Sequence, residues 1–271
     1  MLWVTWRQHR ALALVTVVVL AGAVAVLFAD RMPFDVVKAL PVAPVFVGLF
    51  WGVPLLAREY ERGTQCLMWT QSVSRIRWLA VKLGVLGAAV TVAGLVFGML
   101  VLDWSRTSAL DPFSSEVFGA TGVAAAAWFL AVFALGAASG AVLRRTLPAM
   151  AVTIAVFAGL MIGAFIARDH YAEPLAVTVG EGFALPNGAL VTGSGVLDAG
   201  GNQLTWEAAG ELCGDAETVS CMRERGMERQ FVLYQPADRY WRFQWTETGL
   251  LLLVTVAAAG VTVRQVVNRS R

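Results

Sequence analysis

Five stretches of this chain, 11–29, 39–57, 79–102, 117–143 and 147–167, each run for 19 residues or more with at most one charge. About 20 apolar residues in a helix suffice to cross the hydrocarbon of a bilayer. A sixth stretch, 248–263, is shorter, but Glu247 and Arg264 flank it and are expected to snorkel to the interfaces. Composition agrees: 58% of residues are hydrophobic and 15% charged. A soluble domain has about 45–50% and about 25%, and could not hide such a surplus in its core. The net charge of +2 gives no footing for nucleic acid. The pattern predicts an all-α polytopic membrane protein with six transmembrane helices.

Basic residues set the expected orientation. With the N-terminus cytoplasmic, the inner segments hold Arg7, Arg10, Arg58, Arg62, Arg75, Arg77, Lys82, Arg144, Arg145, Arg264, Arg269 and Arg271. The two short outer loops hold only Arg31, Lys38 and Arg106. This asymmetry places both termini in the cytoplasm. The apolar run of 19 residues is too long for a signal peptide, and Leu27-Phe28-Ala29 is a poor cleavage site, so the first span reads as an uncleaved anchor. Lys82 is the one charge inside a span, near enough to its end to snorkel, and no ionisable group is expected at mid-membrane. Of the 21 basic residues only Lys38 and Lys82 are lysines, a bias typical of GC-rich bacterial coding.

Helix contacts leave signatures too. Gly94-x-x-x-Gly98 and Gly136-x-x-x-Gly140 permit close helix approach, within one subunit or at a dimer face, with the former the simpler reading. Pro41, Pro44 and Pro54 predict a kinked or broken second span, which either borders a transport path or is an ordinary membrane helix.

Between spans two and three, Arg58-Glu59-Tyr60-Glu61-Arg62 extends the second helix past the membrane, and Gly63 stops it. Thr64 suits an N-cap for a short helix over 64–70 that offers Leu67, Met68 and Trp69, and Ser74 suits the cap of the third span before Arg75. Two readings compete: a helix that docks into a groove on a cytoplasmic partner, or a solvated basic loop whose Trp69 dips into the headgroups.

This segment, Glu59-x-Glu61-Arg62-Gly63-Thr64 followed by a short apolar helix and Val73-Ser74-Arg75, resembles the coupling-helix region of ABC-2-type transporter permeases. The six-span layout resembles that family, as does the opening Trp3-x-x-Trp6-Arg7-x-x-Arg10, which suggests an interfacial helix. Residues 234–245, Tyr-Gln-Pro-Ala-Asp-Arg-Tyr-Trp-Arg-Phe-Gln-Trp, resemble a segment of an actinobacterial subgroup. Ser72 stands where relatives often carry Pro. The resemblance implies a non-enzymatic permease subunit of a bacterial cell-membrane exporter. It would dimerise with itself or a related permease, and be driven by an ABC ATPase on a separate chain. Glu59, Glu61, Arg62, Gly63, Thr64, Leu67, Met68, Trp69, Ser74 and Arg75 would form the coupling interface. No cofactor is expected in this chain, with ATP on the partner: neither lysine follows Gly or precedes Ser or Thr, so there is no phosphate-binding loop.

The expected organisation is therefore 1–167 for five spans, with a coupling segment at 58–78, then 168–246 as an extracytoplasmic α+β insertion, then 247–271 as the sixth span and tail. Within the insertion, turns around Pro186-Asn187-Gly188 and Gly200-Gly201-Asn202 predict a few strands or ordered loops, and 215–234 reads as helical. Cys213 and Cys221 lie on the oxidising side and either form a disulfide or stay as buried thiols. One continuous helix would hold them about 12 Å apart, so a bond requires the helix to break between them. His9 and His170 are too far apart in the chain's layout to share a metal, and no catalytic motif is visible. The expected substrate is amphiphilic or hydrophobic. The competing reading is an ATPase-driven signalling or mechanical module that acts through the outer segment without transport.

Overall fold

The computed structural model describes residues 34–63, 74–107, 111–114, 116–179, 185–186, 188–214, 218–227 and 229–268. The expected first span at 11–29, the interfacial residues Trp3, Trp6, Arg7 and Arg10, and Thr64, Leu67, Met68 and Trp69 of the expected coupling helix lie outside them. The chain divides into two compact units, the second comprising Phe165–Phe243 and the first the remainder. Among the described residues, five helices are long and apolar enough to cross a membrane: Val37–Glu61, Arg75–Thr107, Gly122–Leu143, Thr146–Arg168 and Ala237–Val267.

The first of these is assembled from pieces. Helix α1 (Phe34–Ala39) passes into a 3-10 turn (Leu40–Val42), then α2 (Ala43–Val47), a π turn (Gly48–Gly52) and α3 (Val53–Glu61). Pro41, Pro44 and Pro54 each fall at one of the first two positions of a new piece, where a missing N–H costs least. The prolines thus change the winding of the helix without interrupting it. Next come α4 (Arg75–Thr107), α5 (Gly122–Leu143) and α6 (Thr146–Arg168).

Helix α5 is the centre of this unit. Its most apolar window is 72% buried, against 17% for α6. Both glycine pairs serve its packing. A Cβ on Gly94 would lie 2.9 Å from Ala126 and Phe129, and one on Gly98 would overlap the Gly122 carbonyl. Further along α5, Gly136 and Gly140 leave room for the backbone of Gly48 and Val53. These are close approaches between helices of one chain. A stripe on α4, from Leu79 through Leu86, Val90 and Phe97 to Val101, fills the space against Phe129, Phe133 and Ala137.

The second unit carries β1 (Leu175–Val179), β2 (Leu190–Leu197), β3 (Gln203–Thr205), α7 (Trp206–Cys213), α8 (Thr218–Glu224) and β4 (Arg229–Gln235). The strands form one antiparallel sheet in the order β1-β4-β2-β3. The expected helix over 215–234 is thus corrected: among its described residues only Thr218–Glu224 is helical, and Arg229–Gln235 is a strand paired on both edges. Phe231, Val232, Leu233 and Tyr234 are strand-forming types, and the left-handed Gly226 (φ 72°) turns the chain before them. Phe231 packs over Gly195, where a side chain would collide with it. Helix α7 ends at Cys213, Gly214 follows with φ 56°, and Cys213 and Cys221 are joined in a disulfide with Cα atoms 5.9 Å apart. Val196, Ala209, Met222 and Met227 pack around the bridge.

The last helix, α9 (Tyr240–Asn268), is longer than the expected 248–263. Its window is 22% buried. Gln244, Glu247, Leu251, Ala258, Thr262 and Val266 form its buried face.

Candidate coupling site

Glu59, Tyr60 and Glu61 form the last turn of α3, and each meets a different helix. Glu59 pairs with Lys82 of α4, whose ammonium also sits 4.3 Å from the centre of the Trp78 ring. Lys82 is 5% exposed, so the expected snorkelling is corrected. A buried ammonium needs a carboxylate within reach, and Glu59 supplies it from the last turn of α3. Tyr60 lies under the guanidinium of Arg144, 5.1 Å from the ring centre. Arg144 ends α5 with φ 54°, and its N–H bonds to the Gly140 carbonyl at 3.0 Å.

Glu61 closes the third contact. The N–H of Thr146 donates to its Oε1 at 2.7 Å, and the Thr146 hydroxyl donates to its Oε2 at 2.8 Å. Thr146 begins α6, so the carboxylate satisfies a donor that the helix itself leaves open. Its charge also suits the positive end of the helix dipole. Otherwise α6 buries only Ala149, Thr153 and Phe157, one narrow seam at i, i+4 and i+8.

The chain leaves this turn through Arg62 and Gly63, whose φ of 66° ends the helix. It returns at Ser74, whose Oγ accepts the Arg77 N–H at 3.4 Å, capping α4. Both flanks of residues 64–73 are therefore anchored to α3 and α4. Of the residues expected at this interface, Glu59, Glu61, Arg62, Gly63, Ser74 and Arg75 are described. The structure gives Glu59 and Glu61 partners within the chain itself.

A second polar cluster lies at the opposite end of α5. The Ala124 N–H donates to Gln244 Oε1 at 2.8 Å, and Gln244 Nε2 reaches the Phe118 carbonyl at 3.3 Å. Thr121, the N-cap residue, makes no side-chain cap, so a glutamine from α9 does that work. One turn further on, the Trp128 indole N–H donates to Glu247 Oε1 at 2.7 Å. Glu247 is 1% exposed and its side chain turns to Trp128, so its expected snorkelling is corrected.

Residues 234–243 stitch the second unit together. Gln235 Nε2 donates to the Ala172 carbonyl at 2.7 Å, and Arg239 Nη1 donates to the Glu173 carbonyl at 2.6 Å. Tyr171 meets Phe243 edge-on at 5.4 Å between ring centres.

Sequence reasoning missed Tyr60, Lys82, Arg144, Thr146, Trp128, Gln244 and Glu247 as site residues. For Lys82 and Glu247 a signal existed, since a lone charge within or directly beside an apolar run calls for a partner. Among the described residues, no group of three His, Cys, Asp or Glu is placed to hold a metal.

A family profile described as ABC-2 membrane transporter related matches residues 29–168, more than half of the chain. The chain belongs to this ABC-2-related family. The match spans α1 to α6 and therefore the whole turn at Glu59–Glu61 with its three partners. No curated protein and no solved structure matches the chain. Membership in the ABC-2-related family, with five apolar helices of spanning length, makes this a multi-pass membrane protein of the permease type. The family implies a transporter with an ATPase partner.

Proposed function

We propose that this chain is the membrane-spanning subunit of an ATP-driven exporter, coupled through residues 64–70 to an ATPase on a separate chain. One observation carries the reading. The last turn of α3 holds α4 through Glu59, α5 through Tyr60 and α6 through Glu61, next to the segment that would receive the ATPase. Force applied to 64–73 enters α3 at Arg62 and α4 at Ser74, and the contacts of Tyr60 and Glu61 pass it to α5 and α6. In this reading Glu59 and Glu61 transmit movement, while Leu67, Met68 and Trp69 touch the partner. The subunit works as a dimer, with itself or a related permease, in a bacterial cell membrane with both termini cytoplasmic. The cargo is amphiphilic or hydrophobic: the buried charges Lys82 and Glu247 are bonded to Glu59 and Trp128, and the other buried side chains of the described spans are mostly apolar.

The test is gentle purification of the tagged chain from its native host. An ATP-binding subunit should accompany the parent chain and be lost from Leu67→Arg with Trp69→Ala, while that variant inserts normally. If no ATPase accompanies the parent in several mild detergents, the proposal fails.

A second reading, an ATPase-driven mechanical module without transport, draws on the second unit. That unit carries a sheet and a disulfide-bonded pair of helices, and along the chain it lies between α6 and α9, the two least buried of the described spans. Activity that survives blocking every transport path, yet disappears on deleting 170–235, would favour it.

A further inference from the structure

The turn that ends α3 gathers arginines. Arg144 lies over the Tyr60 ring, Arg145 directly precedes Thr146, which bonds Glu61, and the Arg58 carbonyl accepts the Arg62 N–H at 3.1 Å. Arg58, Arg62, Arg144 and Arg145 are exposed. Of the two acids among them, Glu59 is turned inward to Lys82, and Glu61, though exposed, has both carboxylate oxygens bonded to Thr146 at the start of α6. Among the described residues, this end of the bundle therefore sets four exposed arginines against one exposed carboxylate, which is itself already bonded. A membrane protein keeps arginines on its cytoplasmic side for topology alone, but that rule asks only for their number near the spans. Here they converge on one turn, where their mutual repulsion favours a partner of opposite charge.

Position selects which partner. Arg144 caps α5, the most enclosed of the described spans, and Arg145 links it to the start of α6. Arg62 and Arg75 border residues 64–73 on either side. We infer that the ATPase subunit meets this chain with an acidic face, docked by Arg58, Arg62, Arg144 and Arg145 around the coupling segment, while Glu59 and Glu61 take no part in that contact. This rests on the coupling reading above and reverses the roles that the resemblance gives to the two acids.

The experiment compares capture of the native ATPase subunit by full-length chains in detergent, at about 50 mM and about 300 mM salt. Arg62→Glu with Arg145→Glu should weaken capture by at least about tenfold, because each reversal sets like charges across the contact. Glu59→Gln with Glu61→Gln should capture as the parent does, within about twofold, and parent capture should fall with salt. Arg58→Gln with Arg62→Gln, a milder change that leaves the fold's ion pair and cap untouched, should show an intermediate loss. If the arginine variants capture like the parent, the inference is overturned, and a parallel loss of bound anionic lipid would reassign the patch to headgroups. Capture lost only in the glutamate variants would overturn it as well. If the parent itself captures no ATPase, the coupling reading falls first and takes this inference with it.

Discussion

At Glu247, hydrogen bonding and charge can be separated. Glu247→Gln keeps an oxygen for the Trp128 N–H, whereas Glu247→Leu leaves that buried donor without its acceptor. An orphaned buried donor costs about 1–3 kcal/mol, and interhelical hydrogen bonds in membranes average about 0.6 kcal/mol. Glu247→Leu should therefore lower stability by about 1 kcal/mol and Glu247→Gln by less. Trp128→Phe combined with Glu247→Leu should cost less than the two single changes together, the sign of a shared contact. Thermal unfolding in one detergent reads all four chains, and additive losses would show that the bond contributes nothing. In the second unit, Asp198 accepts from the side chain and backbone N–H of Asn202, which holds its carboxyl below the usual 3.8. A depressed value stabilises the fold above pH 3.8 and gives that up as pH falls through the lowered value. Protease cutting at the β2–β3 turn of the full chain should rise in that acid range, and Asp198→Asn should flatten the rise. Residue roles of this kind were the least legible part of the sequence. Lys82 and Glu247 stood out as charges beside apolar runs, but their partners lie 23 and 119 positions away. Position along the chain suggested snorkelling; only the fold brought a carboxylate to one and an indole to the other.

Elements were more legible where one periodicity or one residue type dominates. The apolar runs located every described span to within a few residues of its core, because length and composition alone decide that a helix can cross. Three prolines announced the uneven winding of the second span, and glycine pairs announced close approach. Which helices approach could not be read, since Gly-x-x-x-Gly fits a neighbour in the same chain or in another. Strand β4 was misread because Arg223, Glu224, Arg225 and Arg229 gave 215–234 a helical, charged look, while the pairing that makes its end a strand comes from β1 and β2. The glycine contacts make an ordered prediction. Gly98→Ala drives a methyl into the Gly122 carbonyl and within 2.8 Å of Ala125, so it should cost about 1–3 kcal/mol. Gly159→Ala, with nothing within 4 Å, should be neutral or stabilise α6 by up to about 1 kcal/mol through helix propensity. Melting of the two purified variants tests the order, and equal stability would show that α4 and α5 do not meet closely at Gly98.

For the whole molecule, the division into two units asks whether partner capture and the inserted sheet can fail separately. The disulfide offers a way to perturb one without touching the other, because Cys213 and Cys221 lie wholly within Phe165–Phe243 and far along the chain from Glu59–Glu61. Closing a loop of eight residues' separation removes unfolded-state entropy worth about 2–3 kcal/mol. Cys213→Ser with Cys221→Ser should therefore speed proteolysis within 190–235 by a factor consistent with that loss. The same variant should melt at its spans like the parent and capture the ATPase subunit equally well, since every contact at the end of α3 is intact. The decisive quantity is then the activity of the assembled complex. If export continues at the parent rate with a loosened sheet, the spans alone conduct the cargo and the sheet is a passive insertion. If partner capture persists while ATP-driven output stops, the sheet is where the motion delivered through α6 and α9 is used, and the mechanical reading gains the stronger claim.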